Sequence, residues 1–166
     1  MNNQLTQDDI KKMEEEIEYR KLVVRKQAIE EVKETRAHGD LSENFEYYAA
    51  KKEKNKNESR IRYLEKMIRS AEIIEEDGEV NEVSLNRYVK VYFEEDDETE
   101  EYKLVTTVRG NSLEGRISIE SPLGKAIRGR KVGDRVYVQV NETYGYYIKI
   151  VAVEKREDEE DKLRSF

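Results

Sequence analysis

The chain has 166 residues, 36% of them hydrophobic and 42% charged, with no cysteine and a formal net charge of −7. Such a composition is too poor in apolar residues for one compact globule, and points to an elongated charged element beside a small packed domain. It excludes disulfides and thiolate metal sites, disfavours a protein that coats nucleic acid by bulk charge, and offers no apolar run of membrane-span or signal-peptide length, so the expected setting is the cytoplasm.

Thr6, followed by Gln7, Asp8 and Asp9, reads as a capped helix start with acids in its first turn. Ile10, Met13, Ile17, Val24 and Ala28 then recur at spacings of three, four or seven, with no Pro or Gly before Gly39. Tyr47, Ala50, Asn57, Ile61, Leu64, Ile68 and Ala71 repeat the pattern in a second helical segment, expected to run to Asp77 and Gly78. About a turn near residue 40, Ile10 faces Ala71, Met13 faces Ile68, Ile17 faces Leu64 and Val24 faces Asn57, each pair of numbers adding to 81. Two stripes meeting along one seam predict an antiparallel coiled-coil hairpin, with helices of about 32 residues and roughly 48 Å at 1.5 Å per residue. Arg20 opposite Ile61, and Lys54 near Gln27, make the half nearer the turn more polar.

Between the two segments lies Arg36-Ala37-His38-Gly39-Asp40-Leu41-Ser42-Glu43-Asn44. Gly39 ends the first helix, and Asp40 to Glu43 start the second. Taken alone, Asp40-x-x-Glu43 is a capping-box pattern. As two carboxylates on a protruding turn, the same residues are hard oxygen ligands of the kind Mg²⁺ accepts. They are sufficient for half a site completed by another protein, and insufficient for a self-contained enzyme. Charge is also uneven: residues 8–18 carry six acids against Lys11 and Lys12, whereas 51–69 carry eight bases against Glu53, Glu58 and Glu65. Charge alone favours reading this as a solvated helix face laced with i,i+4 pairs.

Beyond Gly78 the pattern changes to short runs rich in β-branched and aromatic residues: 88–93, 102–108, 116–119, 135–140 and 146–153. Residues 94–101 read as an acidic hairpin turn, and Pro122, the only proline, opens a short helix over 123–127. The expected fold class is therefore α+β: an N-terminal antiparallel coiled-coil hairpin, then a small antiparallel β-sheet domain with one short helix. The expected boundaries are 1–77 for the finger with an acidic tip at 39–44, 78–156 for the sheet domain, and 157–166 for a charged tail.

The stretch 36–44, continued by Glu46-Tyr47 and Ala49-Ala50-Lys51, closely resembles the tip signature of the Gre-type (GreA/GreB) family of bacterial transcript-cleavage factors, its GreA branch in particular. Ser121-Pro122-Leu123-Gly124-Lys125-Ala126-Ile127, followed by Gly129-x-x-Val132-Gly133-Asp134, is similar to the C-terminal signature of the same family, whose domain there is FKBP-like. The resemblance implies a transcription elongation factor that enters the secondary channel of RNA polymerase. There it stimulates Mg²⁺-dependent cleavage of the 3′ end of backtracked nascent RNA, the catalysis belonging to the polymerase. By motif position, Asp40 and Glu43 would help hold a Mg²⁺ shared with the polymerase active site and not bound tightly by the isolated protein. Gly39, Ser42 and Asn44 would support the tip, Arg36, Lys51 and Lys52 would contact RNA or polymerase, and Ser121, Pro122 and Leu123 would dock on the polymerase. The implied partners are the bacterial RNA polymerase elongation complex and the nascent RNA 3′ end, with no membrane and a monomeric factor that is not itself an enzyme. Two alternatives stay open: a regulator of the same shape that occupies the channel without stimulating cleavage, and a coiled-coil adaptor whose acids are only caps.

Overall fold

The computed structural model describes residues 3–37, 44–157 and 161–165. The chain divides into two compact units, one built on the helices of 8–71 and the other on 4–7 with 72–165.

In the first unit, α1 (Gln7–Tyr19) continues through a π-helical turn (Arg20–Val24) into α2 (Arg25–Ala37), and α3 (Asn44–Arg69) packs against them. Asp8 and Asp9 lie in the first turn of α1, as the capped start predicts. Met13, Ala50, Asn57, Ile61 and Leu64 are buried, and Ile17, Val24 and Ala28 are partly so, which places the two periodic stripes along the seam. Two features depart from the expected uninterrupted helices. The π turn takes in one extra residue, so that the backbone N–H of Arg25 reaches the carbonyl of Arg20. The second helix stops at Arg69 instead of running to Gly78. Ser70 bonds back to the Lys66 carbonyl through both its N–H (3.1 Å) and its hydroxyl (3.0 Å), and Ala71–Ile73 becomes strand β2, paired with β1 (Asn3–Leu5). Ala71 therefore does not extend the helical seam to Ile10.

The second unit holds β3 (Tyr88–Phe93), β4 (Glu98–Val105), β5 (Arg116–Ser118), β6 (Arg135–Gln139) and β7 (Gly145–Glu154), in the order β5-β4-β3-β7-β6, with α4 (Pro122–Ile127). Val89, Val91, Leu104, Ile127, Val136, Val138, Ile148 and Ile150 form its buried core, and alternate burial along β6 shows one face turned inward. The sheet is mostly antiparallel rather than wholly so, because β5 runs parallel to β4. Two 3-10 turns, Thr107–Arg109 and Ser112–Glu114, bring the chain back in its original direction and replace the end of the strand expected over 102–108. The acidic stretch divides differently as well. Only 94–97 is turn, closed by Asp97 at φ 51°, and Glu98 already begins β4. Among the described residues no helix is long and apolar enough to cross a membrane.

Candidate functional site

The hairpin is held by charge as much as by apolar contact. Glu16 on α1 accepts from Arg60 Nε on α3 at 2.8 Å and from Arg20 Nε at 2.7 Å. Arg20 also donates to Asn57 Oδ1 at 2.9 Å. Burial pushes the Glu16 carboxyl up, but the hydrogen bonds and charges of Arg60 and Arg20 outweigh it and hold the group below its ordinary value. Further along, Arg25 grips Glu58 with two bonds of 2.7 and 2.8 Å, and Lys21 lies 3.0 Å from Glu65. The Arg25 hydrogen bond holds the Glu58 carboxyl below its usual range.

These pairs sort the charges that the sequence left undivided. Arg60 lies inside the seam, and Glu58 and Glu65, two of the three acids of the basic stretch, are turned to Arg25 at the start of α2 and Lys21 in the π turn. Lys51, Lys52, Lys56, Arg62, Lys66 and Arg69 are exposed, so the outer faces of α3 are basic. Arg36, on the last turn of α2, is exposed too. Asn44 is the first residue of α3. Gly39, Asp40, Ser42 and Glu43 lie outside the described residues; they belong to the six-residue connection between two helices that the Arg25–Glu58 and Glu16–Arg60 pairs hold antiparallel.

Sequence reasoning missed Phe45 and Tyr48. Both stand in the first turns of α3, 85% and 64% exposed, on the same helical face as Lys52. The available signal was an aromatic residue at Phe45 outside the apolar stripe. It missed the Glu16–Arg20–Arg60 network for a different reason, since Arg60 is indistinguishable from its basic neighbours without the partner helix.

In the sheet domain, Ser121 caps α4. Its hydroxyl accepts from the Gly124 N–H at 3.0 Å and donates to the Ser118 carbonyl at 2.6 Å. Pro122 follows at the first helical turn and is exposed, whereas Leu123 is partly buried against the core. Gly124 is required by proximity: a Cβ there would stand 1.9 Å from the Ser118 carbonyl oxygen. The three residues predicted to dock thus form one rigid cap, with Pro122 outward. Among the described residues no group of three or more His, Cys, Asp or Glu side chains could hold a metal ion.

A helical hairpin whose short connection is acidic in sequence, followed by a mostly antiparallel sheet domain, defines a two-part architecture. Residues 3–73 match the domain family described as "Transcription elongation factor, N-terminal", and 78–155 match "Transcription elongation factor, GreA/GreB, C-term". The chain belongs to the GreA/GreB family of transcription elongation factors. Transcription elongation factor GreA of Thermoanaerobacter pseudethanolicus is 47% identical over 137 residues, 82% of this chain and 87% of that protein. The GreA of Geobacillus kaustophilus is 47% identical over 152 residues, 90% of this chain and 94% of that protein. Among solved structures, GreA factor homolog 1 of Thermus thermophilus is 27% identical, covering 93% of this chain and 99% of that one, with a TM-score of 0.44.

Proposed function

We propose that this elongation factor acts as a monomer on bacterial RNA polymerase, passing its helical hairpin into the secondary channel and presenting Asp40 and Glu43 to the polymerase active site. The observation that carries this reading is the placement of both acids, by sequence, in the short connection of a hairpin whose arms are cross-linked by buried and half-buried ion pairs. Two carboxylates fit a hard divalent cation such as Mg²⁺, which keeps most of its remaining ligands from water, phosphate and neighbouring protein. Mg²⁺ bound there, shared with the polymerase, supplies the charge stabilisation that phosphodiester hydrolysis needs. Asp40 and Glu43 contribute oxygen ligands and orient water, while Gly39, Ser42 and Asn44 shape the turn that carries them. The basic outer faces of α3, with Arg36, Lys51 and Lys52, attract the displaced 3′ end of the nascent RNA. Ser121, Pro122 and Leu123 dock the sheet domain on the polymerase.

The test is RNA cleavage in stalled, backtracked elongation complexes, with Mg²⁺ and with or without the protein. Shortened 3′ ends are expected with the unaltered chain and lost with Asp40→Asn/Glu43→Gln. Asn caps a helix as well as Asp does, so the variant still folds and binds. Binding without any cleavage by the unaltered chain would instead identify a channel-occupying regulator.

A further inference from the structure

The sheet domain contains a set of cations held out of water. Lys103 on β4 and Arg116 on β5 are neighbours across the parallel pair, and Arg109 lies in the 3-10 turn between those strands. Lys103 and Arg109 are each only 6% exposed. The chain's own C-terminal segment meets them. Lys103 Nζ is 2.7 Å from Asp161 Oδ2, Arg116 Nη1 is 3.8 Å from Asp161 Oδ1, and Arg109 Nη1 donates to the Asp161 main-chain carbonyl. Arg116 also pairs with Glu114. Three residues on, the N–H of Arg164 donates to the Val108 carbonyl at 2.7 Å. The segment is therefore recognised twice, through one carboxylate and through its backbone, as an extended peptide laid on a domain is recognised.

It also walls an open cleft of about 900 Å³ that reaches Gly110, Leu113 and Ser121. Leu113 is 97% exposed there. The three cations belong to the span matched by the C-terminal domain family, 78–155, whereas Asp161 lies beyond it. Asp161 thus brings a carboxylate to these cations from outside the matched span, and an acid carried on another chain would complement the same charges.

We propose that Lys103, Arg109 and Arg116 form a binding site for an extended, aspartate-bearing peptide segment of a partner protein, and that residues 161–165 occupy it as a tethered competitor. A tethered occupant acts at an effective concentration on the order of millimolar, so a free segment competes poorly until the tail is displaced.

A labelled peptide with the sequence of residues 157–166 tests this by fluorescence anisotropy against the full-length chain and its Asp161→Lys variant. The variant is expected to bind the peptide at least about tenfold more tightly than the unaltered chain, because its own tail no longer competes. Asp161→Asn, which preserves size, should give a smaller gain in the same direction. Adding Lys103→Met or Arg116→Gln to the variant should abolish binding, and a peptide with Asn at its Asp161 position should lose it. Amide exchange at Arg164 should be slow in the unaltered chain and fast in Asp161→Lys, with the circular dichroism of the fold unchanged. Equal peptide affinity for the unaltered chain and both variants, or equal binding of the Asn-bearing peptide, would overturn the proposal.

Discussion

Arg20 and Asn57 bind each other in both directions across the hairpin seam. Arg20 Nη1 donates to Asn57 Oδ1 at 2.9 Å, and Asn57 Nδ2 donates to the Arg20 carbonyl at 3.3 Å. The same carbonyl takes the N–H of Arg25 in the π turn. One buried amide therefore pins the place where the first helix changes pitch, as a polar seam residue pins register in a coiled coil. Asn57→Ala removes one of the hydrogen bonds of the Arg20 guanidinium and one of those of its carbonyl, at a position only 4% exposed. It should lower stability by about 1–3 kcal/mol in urea unfolding, with faster amide exchange at Arg25.

The Glu16 network predicts an acid limb for the hairpin. Its carboxyl is held below the ordinary value of 4.5 by Arg60 and Arg20, against the opposing effect of burial. The folded state thus binds fewer protons than the unfolded one. The contribution of Glu16 is complete above 4.5 and is lost as pH falls through the lower folded value. Glu16→Gln should cost about 2–4 kcal/mol at neutral pH, because it strips the counter-charge from a buried arginine. The gap between variant and unaltered chain should then narrow as the solution is acidified. A gap that stays constant with pH would remove Glu16 from the account.

The hairpin seam and the strand runs were legible because both are periodic, and periodicity survives without knowledge of the partner. Met13, Leu64, Val89 and Val138 are buried where their spacing puts them. What was not legible depends on contacts between distant residues. Nothing local in Arg20–Val24 announces a π turn, since its bond to Asn57 comes from the other arm. Ala71–Ile73 carries helical spacing, yet it pairs with β1 because Leu5 supplies an acceptor for Ile74 N–H at 2.9 Å. The parallel pairing of β5 likewise follows from two short turns that no strand pattern encodes. For the site, the motif singled out Ser121, Pro122 and Leu123, but only the structure shows that Gly124 makes them one unit.

Gly124 gives the most direct test of that unit. An added methyl would stand 1.9 Å from the Ser118 carbonyl and 2.9 Å from Ser121 Oγ, so the cap must open. Gly124→Ala should lower the thermal midpoint, at a cost of about 1–3 kcal/mol for overpacking. It should also weaken polymerase binding, measured by co-sedimentation or surface resonance, more than Lys125→Ala, which alters an exposed neighbour in the same short helix. Equal binding by both variants would place docking elsewhere on the sheet domain.

Phe45 and Tyr48 lead to the last prediction. They are 85% and 64% exposed on the same face of α3 as Lys52, directly after the acidic connection. Their solvent exposure leaves them little part in the fold, so Phe45→Ala and Tyr48→Ala should change stability by no more than about 0.5 kcal/mol. An aromatic ring beside a lysine is, however, a stacking platform for an unpaired base, worth about 1–3 kcal/mol per base. If the displaced RNA 3′ end passes this face, each alanine variant should reduce RNA cleavage at low factor concentration by roughly 5- to 150-fold, the equivalent of that energy. Polymerase binding through the sheet domain should be retained. Lys51→Glu/Lys52→Glu should weaken the same step and flatten its salt dependence, because fewer phosphate contacts release fewer counterions. Unchanged cleavage in all three variants would leave this face of α3 a solubilising surface and remove Phe45, Tyr48, Lys51 and Lys52 from the RNA path.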